Sequence, residues 1–259
     1  MRKSEITGLI WSGIKLNLLQ ACWNFERLQN VGFTAAIINI LKRIYGNDRD
    51  NLQRAVKRHM GFFNTHIFFS SAVLGAVARC EKEIPNSDTE AKDREIDAVK
   101  MGIMGPLAAI GDALFWSGLK PFALLAGVVT VMLGGNTPSS LAAAAAVSLV
   151  VFNLPRVVIK YYLLFKSYYD FDRLFESIRQ VKFQEIMKSI RLMGMGMLGG
   201  TMAVFLYSKD LNIVNQRLPD SVLLSLVFGV MAFAIRRKVS VSHLFTGVVI
   251  ISVLLSYIR

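Results

Sequence analysis

The sequence predicts an all-α integral membrane protein, in which transmembrane helices with broken or re-entrant segments are joined to amphipathic helices at the interface. Three observations carry that prediction. Of 259 residues, 53% are hydrophobic and only 19% charged, and the mean hydropathy is +0.44, whereas ordinary soluble domains carry about a quarter charged residues. The apolar residues gather in runs separated by polar, charged stretches, as a helical bundle with sizeable aqueous segments requires. The net charge of +12 and pI near 9.9 suit basic loops in contact with anionic headgroups. Because the cations alternate with acids or flank apolar runs, and belong to no nucleic-acid module, nucleic acid is not expected as a partner.

One membrane domain, 1–259, is expected to divide into 1–60, 61–155, 156–191 and 192–259. The basic tip of MRKSEITGLIWSGIKLNLL resembles a signal peptide, but Lys15 interrupts its apolar stretch and no small-residue cleavage site follows. It is expected to stay as an amphipathic helix. Residues 7–45 continue at helical period, with Trp, Leu, Phe and Ile between Lys15, Asn24, Glu26 and Arg27, giving an interfacial or protein-buried helix pair that does not span. GNDRDNLQRAVKRH is polar and helical, and it places His59 toward solvent or a headgroup. GFFNTHIFFSSAVLGAVAR, 61–79, is long enough to enter the bilayer.

Residues 81–100 are dense in both signs of charge and contain Pro85 and Asn86, which predicts a solvated connection and then a new helix start. Residues 101–121, MGIMGPLAAIGDALFWSGLKP, carry Gly102, Gly105, Pro106, Gly111, Gly118 and Pro121, too many helix-weakening residues for one smooth rod. The stretches 121–134 and 138–155 flank GGNTP, a turn with a proline placed to open the next helix, and read as a transmembrane hairpin. Beyond NLPR, residues 156–191 repeat Phe171, Leu174, Phe175, Ile178, Val181, Ile186 and Ile190 at helical spacing against a Lys/Arg face. Three apolar runs close the chain at 192–207, 221–235 and 239–258. The cations of IRRKVS place the last loop in the cytoplasm.

Motif by motif, little points to covalent chemistry. GMGMLG, 194–199, matches a dinucleotide fingerprint by its letters, but no strand precedes it, and Gly196 with Gly200 reads as a small-xxx-small pair for close helix packing. His59 and His66 lie seven residues apart, without the three or four ligands zinc requires. No metal or other cofactor is expected. Cys22 and Cys80 lack metal or disulfide spacing and are expected to stay reduced. Nucleophile-base pairs and phosphate-cradling loops are missing, so no catalytic residue is expected.

Two places break the apolar pattern. Asn64, Thr65 and His66 interrupt FFNTHIFF, and polar groups at membrane depth must pair inside the protein or line a wet cavity. Capping of a broken helix is the plainer reading. Asp112 is a lone acid among Met, Ile, Leu, Phe and Trp, with Trp116 four residues on along one helical face. A carboxylate accepts hydroxyl protons and an aromatic ring covers the apolar face of a sugar, so the pair suits a sugar path. A buried ion pair with Lys120 is the alternative.

WNFERLQNVGF (23–33), KRHMGFFNTH (57–66), KMGIMGPLAAIGDALFWSGLKP (100–121) and FNLPRVVIKYY (152–162) resemble the IID membrane subunit of the mannose/fructose/sorbose family of the bacterial phosphotransferase system, over essentially the whole chain. The resemblance implies pairing with a IIC subunit to form the sugar-translocating unit, as a trimer of such pairs, in the bacterial inner (cytoplasmic) membrane as a multi-pass protein. Separate IIA and IIB proteins carry the phosphoryl group, and IIB phosphorylates a hexose-type sugar. By motif, Asn64, Thr65 and His66 match one family segment, Gly105, Pro106, Gly111, Asp112, Phe115 and Trp116 a second, and Trp23, Asn24, Phe25, Glu26 and Arg27 a third. The substrate path is expected to run past Asn64, Thr65, His66, Asp112 and Trp116, with Asn24 and Glu26 nearby. Gly105, Pro106, Gly111 and Pro121 shape the backbone. Ile67, Ala113 and Lys120 depart from the family pattern. An orphan homologue with a regulatory or docking role, and no transport, is the alternative function.

Overall fold

A computed structural model describes residues 3–84, 89–171, 173–208 and scattered positions between 229 and 253. The chain forms two compact units, Met1–Met197 and Leu198–Arg259. Residues 209–220, Pro85 and Asn86, most of the closing runs 221–235 and 239–258, and the topology of the IRRKVS loop lie outside the described residues.

Nine helices are described: α1 Lys3–Lys15, α2 Asn30–Tyr45, α3 Arg49–His59, α4 Ser70–Glu83, α5 Thr89–Gly111, α6 Lys120–Gly134, α7 Pro138–Tyr169, α8 Leu174–Gln180 and α9 Phe183–Ser208. The expected N-terminal pair is present as α1 and α2, joined by a tight turn at Leu16–Leu18 and the irregular loop 19–29 that carries WNFER. Asp48 opens α3 by accepting the Asn51 N–H at 3.1 Å, which satisfies one of the orphan donors of a first turn. α5 and α6 run into one another through a π-helical stretch, Asp112–Leu119. The glycines and Pro106 therefore widen the helix and do not break it. The result is one apolar rod, Glu90–Gly134, long enough to cross a bilayer.

At GGNTP the chain turns as expected. Thr137 accepts the Ser140 N–H while Ser140 Oγ accepts the Thr137 N–H, each at 3.2 Å, and Pro138 begins α7. Pro155 does not end this helix; it continues to Tyr169, a second membrane-spanning length. The amphipathic segment expected over 156–191 is accordingly divided among the end of α7, the short α8 and the start of α9. Protein covers almost none of the most apolar stretch of α7, as suits a lipid-facing surface.

Three sequence expectations are corrected. Residues 61–79 are not one helix entering the bilayer: 60–69 is irregular, and only α4 follows, buried along nearly its whole length. α4 crosses α7 where Gly75 faces the Leu164 carbonyl and Ser167, with no room for a Cβ. The charged run 81–100 is not a wet face throughout, because Glu81, Lys92 and Lys100 are each at most 2% exposed. Within 194–200, no other helix among the described residues comes within 4 Å of a Cβ built at Gly196 or Gly200, so the expected close packing is not made among them.

His59 is a fourth correction. It is fully buried, not facing solvent, and its Nε2 meets Glu81 Oε1 at 2.9 Å. The same carboxylate accepts from Arg58 and from the Tyr45 hydroxyl, with Lys92 Nζ 3.7 Å away. Arg58 also reaches Asp93. Burial alone would raise Glu81's pKa, but the donors His59 and Tyr45 and the Arg58 charge outweigh it and hold the carboxyl at about 2. Desolvation lowers the His59 pKa, which keeps the ring neutral with its proton on Nε2. Two cations and two carboxylates thus close a balanced knot between α2, α3, α4 and α5.

Candidate functional site

The turn carrying Asn64, Thr65 and His66 is fixed from both sides by short-range pairing. The preceding WNFER loop closes on itself: Asn24 and Leu28 exchange backbone hydrogen bonds of 3.1 and 3.0 Å, and Asn24 Oδ1 accepts the Arg27 N–H at 2.8 Å. Leu28 takes a positive φ of 57° to make this turn, a conformation rarely adopted by a branched residue. The loop then lies beside 60–65, with the Gln29 N–H donating to the Phe63 carbonyl at 2.9 Å and Asn30 Nδ2 to the Met60 carbonyl at 2.8 Å. Asn24 Nδ2 reaches Asn30 Oδ1 at 2.9 Å.

Thr65 is buried by two bonds. Its N–H donates to Gln29 Oε1 at 3.0 Å, and its hydroxyl donates to the Met104 carbonyl in α5 at 2.8 Å. Gln29 therefore aligns the turn, a role its sequence position gave no reason to expect. The first of the two predicted motifs is thus tied to the helix that carries the second.

His66 sits at the centre. Its ring stacks on Phe115 at 5.2 Å and 11°, meets Phe68 and Phe69 edge-on, and lies 5.5 Å from Trp116. Phe152 of α7 closes the cluster against Phe68, Phe115 and Trp116. A Cβ at Gly111 would collide with the imidazole, so this glycine is the floor on which the ring rests. The Phe68 N–H approaches Nδ1 at 3.3 Å, which leaves the ring proton on Nε2. That Nε2 is buried and has no hydrogen-bond partner among the described residues. The turn lies outside the two spanning segments, and burial pushes the imidazole down to about 4, against the opposing pull of Asp112. At neutral pH His66 is an uncharged donor, aimed at no acceptor among the described residues.

Asp112 follows Gly111 as the first residue of the π-helical stretch and is exposed. The expected alternative, a buried pair with Lys120, is not formed; Lys120 Nζ lies over the Trp116 ring at 5.3 Å. Trp116 is 43% exposed, so it offers one edge to the outside while the other packs on Phe152. Asn64 is exposed beside the buried Thr65 and His66. Glu26 is exposed and pairs with its neighbour Arg27 at 3.1 Å, and Asn24 is half-buried in its own turn. Asn64, Thr65, His66, Asp112 and Trp116 are thus gathered around one Gly111 floor, while Asn24 and Glu26 belong to the adjoining loop. Gly105 and Pro106 lie in α5 one turn above that floor, and Pro121 opens α6.

Sequence reasoning matched Phe115 by motif alone and missed Phe68, Phe152 and Arg156. Arg156 lies over the Phe68 ring at 5.0 Å, and its only signal was its place in FNLPR. The arrangement presents a neutral N–H, a carboxylate, an amide and an indole edge. Groups of these kinds can hydrogen-bond hydroxyls and cover a C–H face.

Residues 2–259 match the PTS system mannose/fructose/sorbose family IID component. Among curated relatives, the mannose-specific EIID component of Escherichia coli K12 is 33% identical over 162 residues, 62% of this chain and 54% of that protein. The matched chain thus spans about half the length of that relative. The fructose permease IID component of Bacillus subtilis 168 is 27% identical over 220 residues, 85% of this chain and 76% of that one. A chain in the cryo-EM structure of the mannose transporter ManYZ with microcin E492 shares the fold, with TM-score 0.55 and 24% identity over 96% of this chain and 94% of that one. A second solved chain, described as a membrane protein, aligns with TM-score 0.68 and 25% identity over 96% and 95% of the two chains. The chain belongs to the mannose/fructose/sorbose family of phosphotransferase-system IID components.

Proposed function

We propose that this chain is the non-catalytic IID half of a sugar permease, pairing with a IIC subunit in the bacterial inner membrane to pass a hexose-type sugar to IIB, which phosphorylates it with a phosphoryl group delivered by IIA. The single observation that supports this best is the unanswered Nε2–H of His66 beside an exposed carboxylate and a half-exposed indole. A buried donor left without a partner costs about 1–3 kcal/mol, so its partner is a group that arrives from outside. A sugar hydroxyl meets that need, and Asp112 accepts a second hydroxyl while Trp116 covers a C–H face. Three such IIC–IID pairs form the working assembly, embedded in lipid as a multi-pass unit.

Uptake of labelled mannose, fructose, sorbose and N-acetylglucosamine tests the reading in cells expressing the gene with its neighbouring IIC, IIB and IIA. At least one sugar is expected to accumulate as its phosphate, and Asp112→Asn is expected to reduce that uptake by roughly tenfold or more, the loss of one charge-assisted hydrogen bond. Accumulation independent of this chain, or unchanged by Asp112→Asn and His66→Phe together, would sink the proposal.

A further inference from the structure

A second polar cavity lies away from the site just described, where α1, α2, α4 and α7 converge. Its volume is about 520 Å³, within the range of small-molecule sites. Ser4, Glu5, Gly8, Arg43, Lys82 and Tyr168 give it its character.

Glu5 already holds Lys82 at 2.7 Å, and Lys82 Nζ lies 5.8 Å from the centre of the Tyr168 ring. The remaining charge is Arg43. Its guanidinium rests directly on Gly8, where a Cβ would stand 2.6 Å from Nη1. It has neither a carboxylate nor a hydrogen-bond acceptor among the described residues. The cavity therefore offers a positioned fork of N–H donors, a second ammonium and the Ser4 hydroxyl, one positive charge in excess of its single carboxylate.

The neighbouring surface says what kind of anion belongs there. α1 turns Gly8, Leu9, Ser12 and Gly13 inward, and Lys160 Nζ fastens its end to α7 by donating to the Gly13 carbonyl and Asn17 Oδ1 at 3.0 Å each. Ile10, Trp11, Ile14 and, beyond the helix, Leu18 are left exposed along one stripe. A helix with that stripe lies in the acyl boundary with Trp at headgroup depth, which sets the adjoining cavity at the level of lipid phosphates. We propose that this cavity binds the phosphate of an anionic phospholipid headgroup, with Arg43 as its principal ligand and Lys82 as the second.

The full chain, purified from membranes and equilibrated with vesicles of equal phosphatidylcholine and phosphatidylglycerol, is examined by native mass spectrometry for retained lipid. Phosphatidylglycerol is expected to be retained over phosphatidylcholine. Arg43→Gln is expected to reduce that retention about fivefold, the weight of one cation at a membrane surface. Arg54→Gln, which removes an exposed cation from α3 outside the cavity, is expected to leave it unchanged. Equal loss in both variants, or no loss in Arg43→Gln, overturns the site. Displacement of the lipid by inorganic phosphate alone overturns the lipid assignment in favour of a free anion.

Discussion

Two buried histidines seven residues apart stand in opposite circumstances. His59 gives its proton to Glu81, whose other donors are Arg58 and Tyr45, and the charges of Arg58 and Lys92 are matched by Glu81 and Asp93, so that only the acceptor Nδ1 of this ring lacks a partner among the described residues. His66 sits in a shell of rings with its proton unanswered, and the nearby acid, Asp112, faces outward. Satisfied buried networks hold a shape, and breaking one is costly. The open donor of His66 is the feature on which the proposed sugar site rests. The contrast sets a charge-matched network against that proposed site.

Removing Glu81 should break the contrast most heavily. Glu81→Ala leaves Arg58 and Lys92 buried with one fewer counter-charge and is expected to cost about 3–5 kcal/mol, seen as loss of folded protein in detergent melts. Gly111→Ala attacks the other side by forcing a methyl into the His66 ring. Overpacking of that kind costs about 1–3 kcal/mol, and sugar uptake should fall along with the melting temperature.

The paired substitutions His59→Phe and His66→Phe sharpen the comparison. The first strips a donor from a buried carboxylate and is expected to destabilise by about 1–3 kcal/mol. The second keeps a ring in a ring cluster and removes the unsatisfied Nε2 at the loss of the long Phe68 N–H contact to Nδ1, so it should cost less stability than His59→Phe while uptake drops. Equal melting shifts in the two variants would erase the distinction.

Mild acid should give the smallest effect. Glu81 titrates well below its ordinary range in the folded chain, so its contribution is complete above about 4.5 and is lost as pH falls from there through about 2. His59 is also held below its ordinary value, so the unfolded chain takes up its proton first, and stability declines as pH drops below about 6.5. Both act in the same direction. Melting temperature is expected to decrease steadily from pH 7 to pH 4, and Glu81→Gln should flatten the lower part of that slope.

Helix type, the hairpin at GGNTP and the two polar interruptions were legible in the sequence because each is written in neighbouring residues: a 3.6-residue period, a cap followed by proline, a lone acid in an apolar run. Pro155 misled because a proline inside a soluble helix costs about 3 kcal/mol, whereas spanning helices tolerate one where neighbours re-satisfy the freed backbone. The burial of His59, Glu81 and Lys92 was illegible for another reason. Their partners come from α2, α3, α4 and α5, and charge in a one-dimensional string carries no mark of whether its counter-charge waits 23 or 35 residues away. The same holds for the rings: FNTH and GDALFW announced themselves, while Phe152 joined them only through the packing of α7.

The bond from Thr65 to the Met104 carbonyl gives the site a mechanical character. With Gln29 gripping the same residue from the other side, the turn bearing His66 is stapled both to the N-terminal loop and to the long rod that bears Asp112. On the proposed function, a site tied in this way is expected to move together with the rod and the loop, and not to act as its own lid.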